Sequence, residues 1–268
     1  MELLVRSWNV FHGNAVPPER HAYLEEIMGL AVADRPDILL LQELPVWASN
    51  RLGGWTGMDV VADVAARPLL PPEVGRVVTD LHHGVLRSAL TGQANAMLFR
   101  SGIAVGDRQR IVLNERRFRR SEARRLGLPL VDRLAWARER RVCQWARVSL
   151  SDGKSLAVAH FHATAWPRNQ RLADAELLRA AVFADALARP DEPLALGGDF
   201  NVRLGASTSL DELTGAEWGF AHFGSGVDHF LVRGAELLGG TVWPDERRRV
   251  RGRLLSDHTP KEIRLNLG

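Results

Sequence analysis

MELLVRSWNV (residues 1–10), PERHAYLEEIMGLAVADRP (18–36) and DILLLQEL (37–44) follow one another at the start of the chain, and their order decides the class of fold. The first is a short, mostly apolar run that predicts a buried strand, with Asn9 at its end ahead of a polar cluster at His12, Gly13 and Asn14. The second has the apolar spacing of a helix and stops before Pro36, because the residue ahead of a proline is pushed out of the helical region. The third is nearly continuous in apolar residues and predicts a second strand. Strand, helix, strand is the opening of an α/β protein.

The same alternation continues. ANAMLFR, RVCQWARVSL, SLAVAHFHA, PLALGGDF, VDHFLVRG and KEIRLNL are further strand candidates. Between two of them, QRLADAELLRAAVFADALA predicts the clearest helix, with Leu172, Ala175, Leu178, Val182 and Leu187 near one face. Residues 68–90 read as loop with a short strand, and the arginine-rich 114–138 region as helix or loop. No repeat or low-complexity linker interrupts the chain, so residues 1–268 are expected to form a single domain, a layered α/β sandwich.

Bulk properties narrow the class. A chain of 268 residues can bury about 70–75% of its unfolded surface. With 46% hydrophobic and 25% charged residues it reads as globular, not disordered or fibrous. The lone Cys143 excludes an internal disulfide, a redox pair and a cysteine metal cluster, and fits a reducing compartment. Glu2 stands where a secretory leader would be positive, and no apolar run reaches the roughly 20 residues of a membrane span, so a cytoplasmic location is expected. The formal charge of +3 is small for this length, yet arginines crowd residues 108–141, as a solvated surface or as a face for phosphates.

Polar residues at predicted strand ends carry the chemistry. Asn9 ends the first strand and Glu43 the second; Asp199 and Asn201 follow PLALGG; Asp257 and His258 precede the last strand. Residues two apart on an extended segment share a face, so Asp199 and Asn201 can address one small volume while Phe200 anchors the other side. Asn9 could serve as a turn former, Asp199 as a turn cap and Asp257 as a helix cap. Glu43 in an apolar strand would cost several kcal/mol if buried unpaired, which argues for a cationic partner. Such hard oxygen donors suit Mg²⁺ or Mn²⁺, with zinc as second choice.

RSWNV, LLLQE, GGDFN, VDHF and LSDHTP occur in the order and at roughly the intervals found in the endonuclease/exonuclease/phosphatase superfamily, and from Ser7 to Pro260 the chain resembles it. The resemblance implies a four-layer DNase I-like sandwich of two mixed β-sheets packed together and flanked by helices. It implies Glu43 as principal metal ligand with Asn9 and Asp257 nearby. Asp199 would orient or deprotonate water, Asn201 would hold the phosphate, and His258 would stabilise developing charge, its ring oriented by Asp228. The family's strand-end histidine corresponds to His160 or His162, of which His162 lies nearer the end and His160 fits a core position as well as a substrate contact. Asn95 in QANAMLFR resembles a strand that borders the site; it could equally satisfy backbone groups.

The expected activity is metal-dependent hydrolysis of a phosphodiester by water, with a phosphate ester as partner, nucleic acid among the candidates, a monomeric chain and no membrane. A phosphomonoesterase acting on a small sugar, nucleotide or inositol phosphate is the near alternative, and a non-catalytic anion-binding module the distant one. The single Tyr23 lies in a predicted helix, and the aromatic-glycine strand that resembles abasic-site repair enzymes is missing, which argues against a dedicated repair role. No hydrophobic hairpin suits a sphingomyelinase, and the eight tryptophans are mainly core candidates.

Overall fold

The computed structural model describes residues 1–81 and 90–268. In chain order its strands are β1 (Glu2–Asn9), β2 (Ala15–Val16), β3 (Ile38–Leu44), β4 (Asp59–Ala66), β5 (Gln93–Phe99), β6 (Ala104–Val112), β7 (Val142–Ser149), β8 (Ser155–His162), β9 (Leu194–Asp199), β10 (Ala221–Ser225), β11 (Asp228–Arg233), β12 (Glu236–Val242), β13 (Arg249–Val250), β14 (Arg253–Leu255) and β15 (Lys261–Asn266). The helices are α1 (Leu24–Ala31), α2 (Leu52–Thr56), α3 (Pro72–Leu81), α4 (Arg116–Arg125), α5 (Leu130–Arg138), α6 (Arg171–Leu187) and α7 (Thr208–Thr214). The chain divides into two compact units. The first holds Glu2–Ile103 and Leu238–Leu265; the second holds Ala104–Leu237 with Met1 and Asn266–Gly268.

One six-stranded sheet runs β12-β15-β1-β3-β5-β4 and the other β10-β11-β9-β8-β7-β6. Each has a parallel pair at its centre, β1 with β3 and β8 with β9. A helix links each pair, α1 in the first and α6 in the second, as a parallel crossover requires. Consequently β1 and β3 end on the same side of their sheet, as do β8 and β9, and in α/β sheets the carboxyl ends of parallel strands are where binding crevices form.

The first unit's core packs Leu24, Ile27, Met28 and Ala31, one stripe of α1, with Leu39, Leu41 and Trp8. Helix α1 is shorter than the predicted 18–36 span because the preceding residues are committed to loop contacts. Ala22 N–H donates to Asp80 at 2.9 Å and Tyr23 N–H to Gly13 O at 2.7 Å. Residues 72–81 form a helix where a loop with a strand was expected, with Pro72 in the first-turn position proline favours. The remainder of that expectation, residues 82–89, lies outside the described residues.

In the second unit Ala173, Leu177, Ala180, Ala181 and Ala184 of α6 pack on Ala157, Ala159, Phe161 and Leu196. Of the predicted face, Leu178 and Leu187 pack at the margin of this core and Leu172 and Ala175 are buried in a neighbouring cluster. Val182 is half exposed while Ala180, Ala181 and Ala184 are fully buried. Small residues let the helix approach the sheet closely, and a reading by side-chain size passes over them. Residues 114–138 form two helices, α4 and α5, whose apolar contacts come from a few sites, Ala123, Leu128 and Trp136, against Leu172 and Ala175. Strands β4, β6, β10 and β12 were not predicted; all four are sheet edges, where exposure removes the apolar run that marks inner strands. Among the described residues no helix is long and apolar enough to cross a membrane.

Candidate active site

In the first unit the site is built at the ends of β1 and β3. The ladder between β3 and β5 runs regularly to Leu41 opposite Ala96, then resumes at Leu44 opposite Ala94, so Gln42 and Glu43 form a bulge facing Asn95 of β5. Gln42 is buried, its amide donating to Ser7 Oγ and Leu40 O, while Glu43 adopts a left-handed φ of 54°. The Glu43 carboxylate accepts from Asn9 Nδ2 at 3.2 Å and lies 3.9 Å from His12 Nε2. Asn9 in turn accepts Phe11 N–H at 3.0 Å, fixing its amide orientation.

The Ser256–His258 turn is strapped to the same place. Ser256 Oγ donates to Asn9 O at 2.6 Å and accepts His258 N–H at 3.1 Å, and Ser256 N–H donates to Asn14 O at 2.8 Å. Trp8 Nε1 donates to His258 O at 3.1 Å. Buried Arg248 gathers the carbonyls of Leu255 and Ser256 at 3.0 and 2.6 Å and is itself held by Asp245 at 2.6 Å. The turn carrying Asp257 and His258 is thus tied to Asn9, which holds Glu43, and Asp257 is exposed to solvent.

In the second unit the ends of β8 and β9 do the corresponding work. His162 is the register partner of Asp199, and Asp228 pairs with Asp199 from the other side. His162 Nε2 lies 3.5 Å from Asp199 Oδ2, and Arg141 Nη1 lies 3.2 Å from His162 Nδ1. A guanidinium only donates, so Nδ1 is the acceptor and the ring proton sits on Nε2, facing the carboxylate. Asp199 Oδ1 accepts Asn201 N–H at 3.1 Å, and Asn201 Nδ2 donates to Ala163 O at 3.0 Å, with Asn201 at a left-handed φ of 50°. Gly198, at φ 149°, is needed ahead of Asp199 because a Cβ there would run into the Phe161 carbonyl.

His160 occupies a different setting. It is fully buried, two residues back on β8, with Nδ1 3.0 Å from Gly197 O, so its ring ties β8 to β9 inside the sheet. Asn95 is buried in β5, opposite Asp63 of β4 as well as the bulge.

A family model for the endonuclease/exonuclease/phosphatase family matches residues 7–258. The chain belongs to the endonuclease/exonuclease/phosphatase family. Its fold is that of solved members. An endonuclease/exonuclease/phosphatase from Bacteroides vulgatus aligns with a TM-score of 0.70 at 14% identity over 100% of each chain. One from Beutenbergia cavernae DSM 12333 gives 0.67 at 17% identity, covering 100% of this chain and 72% of that one. TDP2 from C. elegans gives 0.65 at 14% identity, covering 99% and 75%. A search of curated proteins found no match. The DNase I-like architecture of two mixed sheets with flanking helices is therefore established, and members of this family are generally phosphoesterases that use a divalent metal.

The oxygen donors around Glu43 fit such an ion: a carboxylate on a strained bulge, partly open at 23% accessibility, with the Asn9 amide at 3.2 Å and Asp257 on the turn that Ser256 ties to Asn9. Three contributors escaped the sequence reading. Arg141 was hidden in an arginine run that resembles a solvated surface, although it is 5% exposed. Ser256 carried no signal beyond its place in LSDHTP. Glu176, buried in α6, accepts from Trp136 Nε1, Thr164 Oγ1 and Thr164 N, and burial raises its carboxyl above the usual range.

Proposed function

We propose that this chain hydrolyses phosphodiester bonds of nucleic acid by attack of water, with Mg²⁺ or Mn²⁺ as cofactor. The observation that carries the reading is the Arg141, His162, Asp199 sequence at the carboxyl ends of the second unit's parallel strands. It places a buried carboxylate next to a histidine of defined tautomer. Glu43, Asn9 and Asp257 are the residues that would hold the metal. A bound divalent ion supplies Lewis-acid neutralisation of phosphate charge.

Asp199 takes the proton of the attacking water as its oxygen bonds to phosphorus and the P–O bond to the leaving alcohol breaks. His162 faces that carboxylate with Nε2 at 3.5 Å, and Arg141 keeps the histidine in that tautomer. Asn201 spends one amide proton on Ala163 O; the other is free by valence to hold a phosphoryl oxygen. His258 offsets charge on the departing group in this reading.

The test is supercoiled plasmid nicking with Mg²⁺, run beside phosphate release from small monoesters. Asp199→Ala and Glu43→Ala should each lower nicking by about 10³ or more while circular dichroism is unchanged. Full activity in either variant would refute the assignment, and turnover of monoesters alone would replace it with a phosphomonoesterase.

A further inference from the structure

Helix α4 carries six arginines against one glutamate, an excess no folding argument requires. Between α4 and α5 lies a cavity of about 470 Å³ lined by Arg116, Arg119, Arg120, Arg124, Arg133 and Trp136. Acids close in sequence are committed elsewhere. Glu122 pairs with Arg125, Glu115 with Arg179, and Asp132 accepts from Trp166 Nε1 and Asn169 Nδ2. Among the described residues Arg116, Arg120 and Arg124 have no ion pair, and all three are exposed. Burial, and after it the neighbouring Arg116, lowers the Arg119 guanidinium below its ordinary value.

We infer that this cleft binds the phosphate backbone of a single nucleic-acid strand, an inference that rests on the phosphodiesterase reading and names where its substrate is gripped. Arg116, Arg120 and Arg124 stand at i, i+4, i+8, a row with a step of about 6 Å along the helix. A compact anion engages two such groups; a chain of regularly repeated phosphates engages the row. Trp136 is fully buried with its Nε1 on Glu176, so the floor offers no stacking face and the grip is indifferent to base identity. The two helices are also fixed to the candidate site's own unit. Asn114 donates to the carbonyls of Trp136 and Glu139 and accepts Arg141 N–H, and Arg141 is the arginine against His162.

The experiment is fluorescence anisotropy of a labelled oligo-dT strand with the full chain in EDTA, so that cleavage does not enter, across a salt series. Replacing Arg116, Arg120 and Arg124 together by glutamine should weaken binding tenfold or more and flatten the log K against log salt slope by about 2. The control removes the same charge elsewhere: Arg35→Gln, Arg51→Gln and Arg67→Gln together should leave affinity within twofold. Equal losses in the two triple variants, or wild-type affinity in the first, overturns the inference. Salt-sensitive binding that is lost only in the first variant supports it, even if no metal supports cleavage and the hydrolytic reading fails. Cleavage by a wild-type chain whose strand binding ignores these arginines overturns the cleft alone.

Discussion

Among the described residues nine non-glycine positions have positive φ, and Phe11, His12, Glu43, Asn201 and Ser256 are five of them. Such backbone costs of order 1–3 kcal/mol per residue and persists only where surrounding contacts enforce it. The contacts that enforce it here are the strand-end hydrogen bonds of Asn9, Ser256 and Asp199. At Gly198 the demand is steric, so Gly198→Ala should destabilise by about 2–4 kcal/mol, read as a fall in Cm without change in m. Arg141→Gln removes the donor that holds His162 Nδ1 as acceptor; ring ¹⁵N shifts should then show both tautomers, with Arg141→Lys restoring one. Unchanged ring shifts in Arg141→Gln would remove Arg141 from the mechanism.

His222 supplies a pH test at the same scale. Its Nε2 lies 2.9 Å from His229 Nδ1, and His229 Nε2 lies 2.9 Å from Val202 O, so His229 donates to the carbonyl and accepts from His222. Burial first, and then the electrostatic influence of the neighbouring His229 ring, pushes His222 down to about 4 from 6.5. The unfolded chain therefore binds the proton first, and the stability this neutral ring contributes is present above pH 6.5 and lost as pH falls toward 4. Thermal melts across that window should show a smaller acid loss for His222→Asn than for wild type.

At the scale of elements, α6 shows how a periodicity read from large side chains passes over small ones. The predicted face included Val182, yet the helix meets its sheet through Ala173, Ala180, Ala181 and Ala184. Ala180→Leu should therefore overpack and cost roughly 1–3 kcal/mol in urea unfolding, whereas Val182→Ala should stay within about 0.5 kcal/mol. The reverse order would put Val182, not Ala180, against the sheet. The edge strands teach a related lesson. β4 and β6 are mostly exposed or half exposed, and a strand with water on it has no apolar run to read.

For the molecule as a whole, an ion bound only by the folded state raises stability through mass action, by about 2.7 kcal/mol at a concentration 100 times Kd. The melting temperature should rise from EDTA to Mg²⁺ or Mn²⁺, and Glu43→Ala should abolish the rise. A rise of equal size in that variant would place the ion elsewhere.

The inner strands, the two strand-helix-strand crossovers and the polar residues at strand ends were legible because each is a local pattern: apolar runs, a helix stop, a Gly-Gly before an acid. The family itself was legible from five short motifs in order. The bulge that re-aims Glu43, the burial of Arg141 against His162 and the Ser256 strap on Asn9 were decided by tertiary structure alone. The last two join residues 21 and 247 positions apart. No local pattern encodes them, because an arginine on the surface and one desolvated against a histidine are spelled alike until folding removes the water around one of them.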